Sequence, residues 1–305
     1  MSERPGFSIV IPAYNYARVI ERALVSALRQ DYAPFEVVVI NDGSTDDTEA
    51  VLADLAARRA EPFRVVHQDN AGLAAVRNRG LREARHDWLL FLDADDELCP
   101  GALARLAETI EAHPRARLII GGHEADDGAR RDRIAPAPVS DDPRVNFRAY
   151  LDKRLTISNG ACAMHRDLFA HTAYDPALRH TEDLPVFAHA LARYPAAVSA
   201  APVAVIHKHT DSMRHDLDAA LAVGMDLEAL IFDDNGLPDW AQGERRRYRA
   251  RRAISLLKLA DRHGRPDLVR RFFRIALGAD WRQALHPRYL RRYVASLMPG
   301  KRGGA

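Results

Sequence analysis

"WLLFLDADDEL", residues 88–98, runs from an apolar stretch straight into Asp93, Asp95 and Asp96, with only Ala94 between them. A continuous apolar run has the pattern of a strand covered on both faces, whereas a strand with one wet face alternates. The three carboxylates at its end repel one another, and burying them unpaired is costly. Two readings account for them. One is a solvated strand-to-helix turn, since Asp favours turns and N-caps and "CPGALARLAETI" downstream reads as a helix with Pro near its start. The other is a divalent-cation site, in which the charge of the ion removes the repulsion.

The neighbouring segments repeat the theme. "FSIVIPAY", "FEVVVIND" and "FRVVHQD" are strand-like, and "ARVIERALVSALRQ", "TDDTEAVLADLAARRA" and "LAAVRNRGLREAR" between them are helical. Apolar strands alternating with helices indicate an α/β, doubly wound, mostly parallel sheet with helices on both faces. Ligands bind beyond the carboxyl ends of such strands. The polar residues at those ends are Tyr14 and Asn15, Asn41 and Asp42, Gln68 and Asp69, then the Asp93–Asp96 cluster. Carboxylates after three strands of four favour the cation site over the solvated turn.

The chain has 305 residues, 47% of them hydrophobic, enough for one large domain or two ordinary ones. No segment approaches the ~18 consecutive apolar residues of a membrane span, and "MSERPGFSIVIPAYN" lacks the features of a secretory signal. Two cysteines, Cys99 and Cys162, suggest neither a disulfide framework nor a zinc site. The expected location is cytoplasmic. The formal charge of +2 conceals a division. Residues 240–305 hold 18 of the 44 basic and 4 of the 42 acidic residues, leaving 26 basic and 38 acidic in 1–239. The front carries −12 and the tail +14, so the tail is suited to an anionic surface.

The middle is less regular, and "EADDGARRDRIAPAPVSDDPR" reads as a loop or insertion. From about residue 213 the pattern is helical, with a break at Gly264 and Pro266. A catalytic domain over 1–214, with halves of about 1–121 and 122–214, followed by a basic helical extension over 215–305, is the expected organisation.

Seven stretches, "SIVIPAYNYARVIERALVSALRQDY", "EVVVINDGSTDDT", "NAGLAAVRNRG", "LLFLDADDEL", "NGACAMHRDLF", "TEDLPVF" and "HKHTDSM", cover about residues 7–214. In that order they resemble the inverting nucleotide-sugar glycosyltransferases of family 2, which have the Rossmann-like GT-A fold and act in synthesis of lipopolysaccharide and other cell-surface polysaccharides. The resemblance puts Pro12, Tyr14 and Asp42 around the nucleotide base, Asp69 near the same pocket, and Arg77 near the diphosphate. It makes Asp93-Ala94-Asp95 the D-x-D motif, Asp93 facing the ribose or metal and Asp95 holding Mn²⁺ or Mg²⁺ against the donor phosphates. Both ions take hard oxygen ligands. Asp96 is either an acceptor-facing group or an N-cap.

The same resemblance makes Asp183 the general base on the acceptor hydroxyl, with Glu182 orienting the acceptor or the loop. Without it, the two would read as an acidic first helical turn. His209 falls where relatives close over the diphosphate and is a candidate metal ligand. Lys208, Ser212 and Arg214 are candidates for the diphosphate or acceptor. Because His207-Lys208 replaces the commoner Tyr-Arg, the choice among His207, Lys208 and His209 stays open. The implied partners are a nucleotide-sugar donor, most simply a UDP-sugar, and a saccharide or lipid-linked saccharide acceptor. The basic tail either packs with a solvated face or meets the inner face of a membrane. A non-catalytic nucleotide-sugar-binding or nucleic-acid-binding protein is the alternative. The acidic front opposes nucleic acid, and the retained D-x-D and E-D carboxylates oppose loss of catalysis.

Overall fold

The computed structural model describes residues 4–59, 62–178, 181–208, 217–233 and 236–298. The chain divides into two compact units, Met1–Thr210 and Asp211–Ala305.

In the first unit, β1 (Phe7–Ala13) is buried at every residue, and its one polar side chain, Ser8, donates to Glu36 Oε1 at 2.8 Å. It lies between β2 (Phe35–Asp42) and β4 (Trp88–Phe91), parallel to both, and β3 (Arg64–Gln68) runs parallel to β2 on the far side. The order β3-β2-β1-β4 reverses direction between β1 and β4. A doubly wound sheet opens its binding crevice at such a reversal. Helices α1 (Ile20–Leu28), α2 (Thr48–Arg58) and α3 (Leu73–Glu83) connect these strands. α3 packs close to the sheet because Gly80 faces β1, where an added Cβ would meet Val10 Cγ1 at 2.6 Å.

Beyond β4 the sheet becomes mixed. β8 (Cys162–His165) is antiparallel to β4 and to β6 (Leu118–Asp126), and β6 pairs in parallel with β9 (Ala196–His207). β5 (Glu97–Leu98) pairs antiparallel with β9, so the Asp93–Asp96 turn hangs between two strands of one sheet, and α4 (Ala102–Ala112) begins only after it. The segment read as a middle loop is partly ordered as a hairpin of β6 with β7 (Arg131–Ile134). Asp126 and Asp127 make its turn by accepting from the amides of Gly128, Ala129 and Arg130. Asp142 then caps α5 (Pro143–Leu151) by accepting from the Arg144 amide. α6 (Asp183–Arg193) precedes β9.

The second unit is helical, from α7 (Leu217–Val223), α8 (Asp226–Phe232) and α9 (Asp239–Gln242) to α10 (Arg245–Arg262), α11 (Pro266–Ala279), α12 (Trp281–Ala284) and α13 (Pro287–Leu297). The break between α10 and α11 falls at Gly264, in the left-handed region at φ 64°, and at Pro266, the first residue of α11. Leu256, Leu257, Phe272 and Phe273 form its core. No described helix is long and apolar enough to cross a membrane.

Candidate functional site

The parallel strands deliver their carboxyl ends to one edge. Pro12 is buried at the end of β1, and the next residue but one, Tyr14, is 45% exposed. Asn15 follows at φ 61°, a conformation that Asn tolerates better than most residues. Its side-chain oxygen accepts from the amides of Thr45 (2.8 Å) and Asp46 (3.3 Å), tying the loop after β1 to the loop after β2. Asp42 ends β2, and its carboxylate is buried. Oδ1 accepts from Gln68 Nε2 (2.6 Å) and the Ala71 amide (2.9 Å), and Oδ2 from the Gly72 amide (2.9 Å). These amides open α3, where a negative charge is favourable. Asp42 therefore ties the end of β2 to the start of α3. Asp69 is exposed on the next loop.

On α3, Arg77 takes the inward face with Ala74 and Gly80 and is only 3% exposed. Its guanidinium pairs with Glu182 and, at 3.4 Å, with Asp93 Oδ1. It also lies 5.5 Å over the Tyr174 ring. The Asn159 amide, turned with its oxygen inward, accepts from Arg77 Nη1 and Nη2 at 3.2 and 3.3 Å. Burial opposes this charge, but Asp93, Tyr174 and Glu182 outweigh it and hold Arg77 above its usual pKa. The group that the resemblance assigns to the diphosphate is thus committed to protein partners. Asn78, which the sequence reading did not single out, clamps Tyr174 by donating to its carbonyl (2.6 Å) and accepting from its amide (3.0 Å).

The carboxylate turn is crowded. Asp93 is raised above the usual carboxylate pKa by burial, against Arg77, with Asp95 and Glu182 adding to the rise. Asp96, 5% exposed, is pushed up to about 8 by burial and then by Asp93, although its Oδ1 accepts from the His207 amide at 2.9 Å. The carboxylate is thus tied to β9, and the N-cap of α4 is Gly101, not Asp96. Tyr16, also absent from the sequence reading, is pushed up to about 12 by burial and by Asp95, Asp93 and Asp96. Arg22 donates to the Asp95 carbonyl. Among the described residues no group of three or more His, Cys, Asp or Glu side chains could hold a metal ion alone. Asp93 and Asp95 still offer hard oxygen donors whose repulsion a divalent cation would relieve, so the residues present fit such an ion.

Glu182 precedes α6 and Asp183 is its first residue. Thr181 just before them has φ 63°, a strained backbone for a β-branched residue. Asp183 is raised by burial and then by Glu182, against Arg77, with a further contribution from Asp93. The E-D pair and the carboxylate turn, far apart in sequence, are therefore electrostatic neighbours across Arg77. His207 Nε2 is 2.9 Å from Glu97 Oε1, so its ring already has a carboxylate partner, and Lys208 is exposed. His209, Ser212 and Arg214 lie outside the described residues.

The model of glycosyl transferase family 2 matches residues 8–172, more than half of the chain, and the chain belongs to this family. It is similar to the uncharacterized glycosyltransferase EpsJ of Bacillus subtilis, 31% identical over 192 residues, which are 59% of this chain and 54% of that protein. A PGL/p-HBAD biosynthesis glycosyltransferase of Mycobacterium tuberculosis is 40% identical over 119 residues, 38% of this chain and 46% of the relative. The chain thus spans about half the length of these curated relatives. Among solved structures, S. aureus TarS 1–349 in complex with UDP-GlcNAc superposes with a TM-score of 0.69 at 20% identity, covering 95% of this chain and 89% of that one. The mannosyltransferase PcManGT from Pyrobaculum calidifontis, in complex with GDP-Man and Mn²⁺, gives 0.58 at 18% identity, covering 97% and 85%. At these identities the likeness shows the fold, which is GT-A.

Proposed function

We propose that the protein transfers a sugar, with inversion, from a nucleotide-sugar to a hydroxyl of a saccharide or lipid-linked saccharide in cell-surface polysaccharide synthesis. The observation that carries this reading is the pairing of Arg77 with both Asp93 and Glu182, which joins the donor-side carboxylates to the E-D pair at the sheet's reversal point. Tyr14, Pro12 and Asp69 line the base pocket, whose wall Asp42 fixes. A UDP-sugar is the proposed donor, in keeping with the UDP-GlcNAc complex of TarS.

Asp93 and Asp95 would hold a divalent cation, Mn²⁺ or Mg²⁺, with His209 as a further ligand. When bound, the ion supplies Lewis-acid stabilisation of the departing diphosphate. Asp183 takes the proton from the acceptor hydroxyl, whose oxygen attacks the anomeric carbon opposite the diphosphate, so the new bond forms with inversion. Its raised pKa brings it closer to the operating pH of a general base. Glu182 holds the catalytic turn through Arg77, while Lys208, Ser212 and Arg214 are assigned to the diphosphate or acceptor. Residues 1–214 are proposed as the catalytic part and 215–305 as an extension that brings the enzyme to the inner membrane face.

The test is hydrolysis of a panel of nucleotide-sugars by the purified protein with Mn²⁺. Slow release of one nucleoside diphosphate identifies the donor. Nucleotide binding with no hydrolysis or transfer from any donor would favour a non-catalytic binding protein.

A further inference from the structure

The arginines that the sequence offers at the start of α10 are largely engaged inside the second unit. Arg245 pairs with Glu228 and Asp233, Arg249 with Glu228, and Arg247 with Glu244. Arg252 donates to the carbonyls of Gly224 and Ala220. A cation held by a carboxylate contributes little to a distant anionic surface.

α12 and α13 present something else. Of the large hydrophobic side chains exposed among the described residues, those of the second unit all fall between Leu277 and Met298. On α13, Tyr289, Tyr293 and Ser296 turn inward. Tyr293 stacks on Phe273 at 4.1 Å, and Ser296 accepts from Arg270 through its carbonyl. One flank is closed by the ion pair of Arg292 with Asp261 on α10. The other flank carries Leu290, Val294 and Leu297, at i, i+4 and i+7, with Met298 beyond them. Leu297 is 54% exposed and Met298 66%. A core-facing helix needs no second apolar stripe, and a contiguous exposed one marks an interaction surface.

The chemistry beside the stripe selects its occupant. Arg288 and Arg291 are exposed on the same helix. Trp281, 57% exposed, has the Arg282 guanidinium 5.4 Å over its ring. Lys258 is held below its usual pKa chiefly by burial and then by Arg262, Arg292 and Arg288, whose positive charges are close by. A second copy would bring the same charge, since residues 240–305 carry 18 basic against 4 acidic residues. An apolar stripe with tryptophan and arginine alongside suits the boundary between acyl chains and anionic headgroups.

We infer that the α12–α13 face, with Leu290, Val294 and Leu297 inserted and Arg288 and Arg291 on the headgroups, docks the protein on an anionic phospholipid surface. This rests on the membrane part of the proposed function and narrows the contact, within the basic tail, to the C-terminal helices.

The test is flotation of the full chain with vesicles of phosphatidylglycerol and phosphatidylethanolamine, against vesicles of phosphatidylcholine alone. The wild type should float with the anionic vesicles only. Leu290→Ser with Val294→Ser and Leu297→Ser should reduce binding at least about tenfold, as lost burial of three aliphatic side chains requires. Arg288→Gln with Arg291→Gln should weaken it and lower its salt sensitivity, and free-donor hydrolysis should be unchanged in both variants. Unaltered flotation of the serine variant would overturn the inference. So would absence of flotation by the wild type, whether or not sedimentation velocity shows a dimer that the serine variant loses. Flotation does not depend on catalysis, so absence of both hydrolysis and transfer from every donor, with flotation intact, would refute the transferase reading alone.

Discussion

Arg77 on α3 and Glu182 at the head of α6, 105 residues apart, form an ion pair in which both side chains are less than a tenth exposed. Removing one partner of such a pair leaves an uncompensated buried charge, which costs about 3–5 kcal/mol, whereas removing both costs less. Arg77→Met should therefore destabilise the protein by about that amount, and adding Glu182→Gln should recover part of it in urea unfolding. A cost below about 1 kcal/mol, the range of an exposed pair, together with lost donor affinity, would return Arg77 to the diphosphate.

Asp183→Asn should lower transfer by roughly 10²–10⁴-fold while leaving donor affinity near wild type, because the base acts on the acceptor. The pH profile is a second check. Burial and Glu182 raise the Asp183 pKa, so the acid limb of kcat/KM should fall at a pH above the ordinary carboxylate range. An acid limb at the usual carboxylate value, or transfer by the variant close to wild type, would remove Asp183 from the base role.

The parallel half of the sheet is legible in the sequence because β1, β2 and β4 are apolar runs long enough to state their own burial, and the residues at their ends follow directly. The wiring is not legible. Asp42 is satisfied by backbone amides 29 and 30 residues downstream, and any residue type could supply an amide. Tyr16 feels the carboxylate turn because it lies in the loop after β1, and β1 and β4 are parallel neighbours whose ends come together. The hairpin of β6 and β7 was obscured by its composition, since an edge strand such as Arg131–Ile134, "RDRI", carries almost no apolar signal. The short β5, two residues long, is equally hidden.

Asp95→Asn should abolish the metal-dependent part of UDP affinity, because an amide lacks the charge that a hard cation requires. Calorimetric titration of UDP with and without Mn²⁺ separates this part from binding to the base pocket, which should persist. Equal Mn²⁺ enhancement in the variant and the wild type would exclude Asp95 from the ion's ligands.

Asp96 provides a test that needs no substrate. Its pKa is raised from 3.8 to about 8, above that of the unfolded chain, so the protonated carboxyl contributes stability that is full below about pH 4 and is lost as the pH rises through about 8. Asp96→Asn keeps an oxygen to accept from the His207 amide but never acquires the charge. In chelator, the variant should match the wild type near pH 4 and melt at a higher temperature near pH 9. Each kcal/mol gained moves the midpoint by roughly 2–4 °C for a unit of this size. Mn²⁺ should narrow the gap at high pH by neutralising the cluster that opposes ionisation. A melting difference independent of pH would mean that Asp96 does not change protonation in this range.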